Sequence, residues 1–141
     1  MINFKLFENN IQELITLKSK LVFDFQEKEK LIIIFKNMIL NSFDKIIIDE
    51  NLLDNIINYD LYNDLINYKY KLFIIKNKNS KINNFYINNL LNKNLNIINS
   101  NKDISLIIVD NCFLLIKNKN NFFYSFNIKE QVLKLQQHYR V

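Results

Sequence analysis

Residues 104–110 read Ile104-Ser-Leu-Ile-Ile-Val-Asp110, and two further runs of the same kind follow at 113–117 and 122–126. Branched and aromatic side chains dominate all three, which suits a pleated, half-buried surface. Asn111 separates the first two runs, and Asn118-Lys-Asn-Asn121 separates the second two. In a chain without glycine these asparagines are the natural hairpin turns, because they tolerate the backbone angles such turns need. The spacing therefore predicts a meander of three strands.

Upstream, Lys45-Ile-Ile-Ile-Asp49 has the form of a short buried strand, and 70–76 and 95–98 have the same form. A short helix is expected over 61–68, with Asp60 as its cap, and another near 82–91 after a polar loop at 77–81. Strands joined by helices favour parallel pairing, whereas hairpins add antiparallel edges. Two helices are expected before them. Residues 8–23 carry Ile11, Leu14, Ile15, Leu21 and Val22 at helical spacing, and 27–41 carry Leu31, Ile34, Phe35, Met38 and Ile39. A closing helix is expected over 128–139, capped by Asn127, with Val132, Leu133 and Leu135 inward and Lys129, Lys134 and His138 outward. The expected fold class is α/β: a mixed sheet with two N-terminal helices, a C-terminal strand meander and a closing helix. A helical pair at 1–42 and a mixed α/β domain at 43–141 would form one compact unit.

The composition is extreme. The 141 residues include 26 Asn, 24 Ile and 18 Lys, yet no Gly, Pro, Ala or Trp, and Arg140 is the sole arginine. The amino acids of GC-rich codons are missing together, which indicates nucleotide bias and suggests an organelle or another AT-rich genome. Hydrophobic residues still make up 49% of the chain, enough for a core, which excludes a disordered polymer. Without glycine there is no phosphate-binding loop, dinucleotide fingerprint or nucleophile elbow. Cys112 is single and reads as a small buried hydrophobe. No apolar run approaches the roughly 20 residues of a membrane span, and the first residues, with Glu8 and no arginine, resemble neither a secretory nor a transit peptide.

Charge is divided along the chain. Residues 1–65 hold seven lysines and eleven acids, a net −4; residues 66–141 hold twelve cations and three acids, a net +9. Lys69, Lys71, Lys76, Lys78, Lys81, Lys93 and Lys102 follow one another with no acid among them. Nucleotide bias explains how much lysine there is, but not why the acids stop at Asp64 until Asp103. A polyanion-facing side is expected, with Tyr68, Tyr70, Phe85 and Tyr86 among these lysines as candidates to stack on unpaired bases.

The order of elements, with the 104–110 strand and the hairpin after it, resembles one half of the phospholipase-D-like fold, including the inactive forms found in some transcriptional regulators. The resemblance spans roughly residues 29–139. Active members carry His-x-Lys, four residues, then Asp. With Asp110 in the Asp place, the Lys place falls on Ser105 and the His place on Asp103. The resemblance therefore implies a scaffold without hydrolytic chemistry.

The residues themselves offer little else for catalysis. His138 is the only histidine, close to the last residue, and Glu130 is its nearest acid in sequence. Asp49, Glu50, Asp54 and Asp60 could hold a cation at a strand end, but nothing around them supplies a phosphate-binding loop, so they read as capping and loop residues. No enzyme, cofactor or metal is expected. The function expected from sequence is a structural subunit of an organelle-encoded machine, on the matrix or stroma side: a mitochondrial or plastid ribosomal protein contacting rRNA. The lysines just named and Arg140 would make that contact, and neighbouring protein subunits would surround it. The alternative is an assembly subunit of a respiratory or RNA polymerase complex.

Overall fold

The computed structural model describes residues 23–77, 95–100, 105–110, 113–118 and 121–125, together with 132, 133, 136 and 137. The helix expected at 82–91 lies outside these residues, as do Cys112, His138 and, Phe23 apart, the helix expected at 8–23.

Seven strands form one sheet: β1 (Phe23–Phe25), β2 (Lys45–Asp49), β3 (Lys71–Asn77), β4 (Leu95–Ser100), β5 (Ser105–Val109), β6 (Phe113–Asn118) and β7 (Asn121–Ser125). Their spatial order is β1-β7-β6-β5-β2-β3-β4. β3 pairs in parallel with both β2 and β4. β5, β6 and β7 form the antiparallel meander, with Asn118 opposite Asn121 closing its second hairpin. β5 meets β2 antiparallel, which joins the two halves into one mixed sheet. β1 was not expected: Phe23 belongs to a strand paired with Tyr124 rather than to the end of a helix.

Three helices are described: α1 (Lys28–Asn41), α2 (Glu50–Asn58) and α3 (Tyr62–Ile66). α1 buries Leu31 and Phe35, one helical turn apart, in the same core as Ile46 and Ile48 of β2 and Ile107 and Val109 of β5. α2 adds Leu52, Leu53 and Ile56 to that core. The alternate strand residues Ile47, Ile75, Leu106, Ile108, Leu114 and Ile116 are also buried, on the opposite face. Strands covered on both faces read as unbroken apolar runs, and this is why β2 and β5 were visible in the sequence.

α2 was missed, and the reason is local. Asp49 ends β2 and begins α2 at once: its carboxylate accepts from the backbone N–H groups of Asn51 and Leu52, an N-cap directly off a strand. Asp60 was misplaced. It closes α2 instead of opening α3, sitting in the left-handed region at φ 59°. The Leu61 N–H bonds the Ile56 carbonyl at 2.9 Å, and the Asp60 N–H bonds the Ile57 carbonyl at 3.2 Å. That pair of bonds is a Schellman motif with aspartate in the place glycine usually takes. α3 is capped by Leu61, with no side-chain bond.

The closing segment is helical at Val132, Leu133, Gln136 and Gln137. Val132 is buried as expected, whereas Leu133 is exposed and Gln136 is buried in its stead. Gln136 Nε2 donates to the Asp110 carbonyl at 2.9 Å, so a hydrogen bond fixes this segment where an apolar contact was expected.

Candidate functional site

Asp110 follows β5 with φ 54°, and its side chain turns back into the molecule, where only 4% of the residue is exposed. Its Oδ1 accepts from the Ser42 hydroxyl and from the backbone N–H groups of Asp44 and Lys45, each at 3.0 Å; Oδ2 accepts from the Phe43 N–H at 3.4 Å. The Asp110 N–H in turn donates to the Lys45 carbonyl at 2.8 Å. One carboxylate thus organises the whole loop between α1 and β2. Since a hydroxyl has a single proton and Ser42 gives it to Asp110, the 2.6 Å bond between Ser42 and Tyr68 has the Tyr68 phenol as donor. Burial pushes that phenol up to about 12, and the negative charges of Asp110 and Asp44 push in the same direction.

At the other end of β5, Ser105 pairs with Lys117 across the sheet. Lys117 Nζ lies 3.5 Å from Asn55 Oδ1 of α2 and 5.8 Å from the centre of the Phe122 ring. Asp49 is fully buried beside this end, and beyond capping α2 it accepts from the Leu106 N–H at 3.0 Å. A carboxylate that accepts from helix and strand amides together is a structural pin. The acids read as capping and loop residues divide accordingly: Asp49 caps, Asp60 turns the chain, Asp54 is exposed and Glu50 is buried in the first turn of α2. Among the described residues no group of three or more His, Cys, Asp or Glu side chains could hold a metal ion. No described helix is long and apolar enough to cross a membrane.

Three residues of the lysine series are among those described. Lys69 and Lys71 are exposed where β3 begins, whereas Lys76 is half-buried at its far end. Five steps along the strand separate Lys71 from Lys76, roughly 17 Å. Lys78, Lys81, Lys93, Lys102 and Arg140 lie outside the described residues, as do Phe85 and Tyr86. Tyr68 was expected to stack on bases, but it is 7% exposed and committed to Ser42. Tyr70 is 46% exposed and remains accessible. Phe43, 70% exposed in the loop that Asp110 organises, was not singled out from the sequence. Nothing in a lone phenylalanine between a serine and an aspartate marks it as exposed.

No protein-family model matches the chain, and no curated protein sequence does. Solved structures do. Nuc from Salmonella typhimurium, a phospholipase D family member, aligns with a TM-score of 0.61 at 14% identity, over 84% of this chain and 91% of its own. What is shared is a phospholipase-D-like fold. NucT from Helicobacter pylori aligns over the same shares, at 14% identity and a TM-score of 0.59. TrmBL2, an archaeal chromatin protein with a novel mode of DNA binding, aligns at 16% identity and a TM-score of 0.56, over 97% of this chain. This chain spans 60% of the TrmBL2 chain.

These matches correct the expected function. A ribosomal subunit on rRNA was inferred from the basic second half of the chain and from a composition that suggests an organelle genome. The fold instead matches a chromatin protein and phospholipase D family members, and no sequence relative supports an organellar ribosomal role. The phospholipase-D-like resemblance read from element order stands at the level of the fold.

Proposed function

We propose that this chain is a non-hydrolytic phospholipase-D-like domain that binds DNA. The observation that carries the first half is the fate of the signature positions. Asp110, in the Asp place, spends its carboxylate on Ser42 and the backbone amides of residues 43–45. Ser105 stands in the Lys place and Asp103 in the His place. A serine and an aspartate supply neither the imidazole nor the cation that phosphodiester cleavage by this signature would use.

The second half draws on TrmBL2, whose DNA binding is its stated property, and on twelve cations against three acids after residue 65. Lysine–phosphate contacts give affinity without sequence reading and fade as salt rises. The test pairs two measurements on the purified chain. Anisotropy of labelled DNA should show binding that weakens as salt increases. Bis(p-nitrophenyl) phosphate should be hydrolysed no faster than in buffer. Turnover that disappears in the His138→Ala variant would sink the non-hydrolytic reading, and absence of DNA binding at low salt would sink the other.

A protein-contact role draws on a separate observation. Ile33 and Leu40, seven residues apart on one side of α1, are 60% and 81% exposed. Sedimentation of the native protein from nuclease-treated extract tests it, since a complex that survives nuclease favours this role.

A further inference from the structure

β2 and β3 run parallel with Lys45 opposite Lys71, so the residues leading into them, Phe43 and Asp44 on one side and Lys69 and Tyr70 on the other, enter the sheet from the same end. The Lys71 N–H donates to the Asp44 carbonyl at 3.2 Å, tying the two approaches together one strand spacing apart, about 4.8 Å. Phe43 and Tyr70 are both exposed there. We propose that Phe43 and Tyr70, flanked by Lys69 and Lys71, form a platform on which single-stranded DNA stacks its bases. This rests on the DNA-binding reading and names the form of DNA and the place.

Both rings stand on a fixed frame. The Phe43 backbone is held by Asp110, and the Tyr70 ring meets the Tyr68 ring edge-on, 5.9 Å between centres at 66°. Tyr68 is itself anchored through Ser42 to the same carboxylate. An exposed ring that is already ordered loses little freedom when a base stacks on it. Among the phenylalanines whose burial is described, Phe35, Phe113 and Phe122 are at most 3% exposed and Phe73 and Phe123 are half-buried, so Phe43 at 70% stands apart.

The charge around the rings favours a phosphate backbone. Lys69 and Lys71 are exposed; Lys45 is 4.0 Å from Asp44, and those two charges largely offset each other. The remaining acid, Asp110, is buried beneath the loop and already bonded. Two exposed cations beside two accessible rings match a single strand, whose bases are free to stack. A duplex hides its base faces and would use only the lysines.

The experiment measures binding of a labelled oligothymidylate and of a short duplex to the full chain and its variants. Phe43→Ala and Tyr70→Ala should each weaken oligothymidylate binding by roughly 10-fold, leave duplex binding unchanged and leave the melting temperature unchanged. Phe43→Tyr and Tyr70→Phe keep a ring and should keep the affinity. If the alanine variants bind oligothymidylate as well as the parent, the platform is overturned while the DNA reading stands. If the parent binds neither form of DNA, both fall together.

Discussion

The Ser42 hydroxyl donates to the Asp110 carboxylate at 3.0 Å, although the two residues are 68 positions apart. This bond joins the end of α1 to the end of β5 and gathers the amides of residues 43–45 around the same side chain. Asp110→Ala would leave the buried Ser42 hydroxyl and the part-buried amides without their acceptor and place alanine at φ 54°. The expected loss is about 4 kcal/mol, and about 2 kcal/mol for Asp110→Asn, which keeps one acceptor oxygen and tolerates the angle. Urea unfolding midpoints measure both. A neutral Asp110→Ala would remove the carboxylate from its place at the centre of the loop.

Tyr68 carries a pH signature of the same network. Its folded pKa is raised to about 12 from an ordinary 10, so the folded state favours the protonated phenol. The stability this gives is fully present below pH 10 and is lost as pH rises towards 12, because the unfolded chain releases the proton first. Wild type should therefore lose stability more steeply than Tyr68→Phe between pH 10 and 12, while below pH 9 the variant should be weaker by about 1 kcal/mol through the lost donor to Ser42. Parallel pH profiles of the two proteins would contradict the burial of this phenol.

Asp49 should be costlier to replace than an ordinary helix cap. Removing a cap carboxylate costs about 1 kcal/mol, but Asp49 also accepts from Leu106 on β5. Asp49→Ala is expected to lose about 3 kcal/mol, since the Leu106 amide stays buried without its acceptor. Asp49→Ser, whose shorter side chain can cap α2, should recover only the capping part. Thermal unfolding of the two variants separates the contributions, and full recovery of stability in Asp49→Ser would show that the link to β5 carries no weight.

The strands were legible because burial on both faces writes itself as runs such as Ile46-Ile-Ile48, and the meander because Asn118 and Asn121 close a hairpin in a chain without glycine. Burial of Leu31 and Phe35 was legible from helical spacing. The candidate site was not legible, for a different reason. Asp110 was visible as an aspartate at a strand end, but its partners at 42–45 are distant in sequence and mostly backbone amides, which leave no residue signature. Tyr68 and Tyr70 look alike in the sequence, and only the Ser42 bond separates the buried ring from the exposed one. Asp60 failed as a helix start because it serves the end of α2, which the sequence did not reveal. Of the lysines named from the sequence, Lys71 and Lys76 share one strand, where adjacency in sequence is separation in space.

That separation yields the last prediction. Lys69 and Lys71 stand beside Phe43 and Tyr70 where β3 begins, and Lys76 lies roughly 17 Å from Lys71 at its far end. Each lysine that meets a phosphate of a single strand contributes about 0.7 to the slope of log affinity against log salt. Replacing Lys69 and Lys71 by Gln should therefore reduce the slope for oligothymidylate by about 1.4 in total. Lys76→Gln should leave the slope for a strand just long enough to cover the two rings unchanged, and lower it only once the oligonucleotide is long enough to reach along β3. Titrations of the short and long strands at several salt concentrations make the comparison. An equal effect of all three lysines on the shortest strand would mean that the DNA does not sit where β2 and β3 begin.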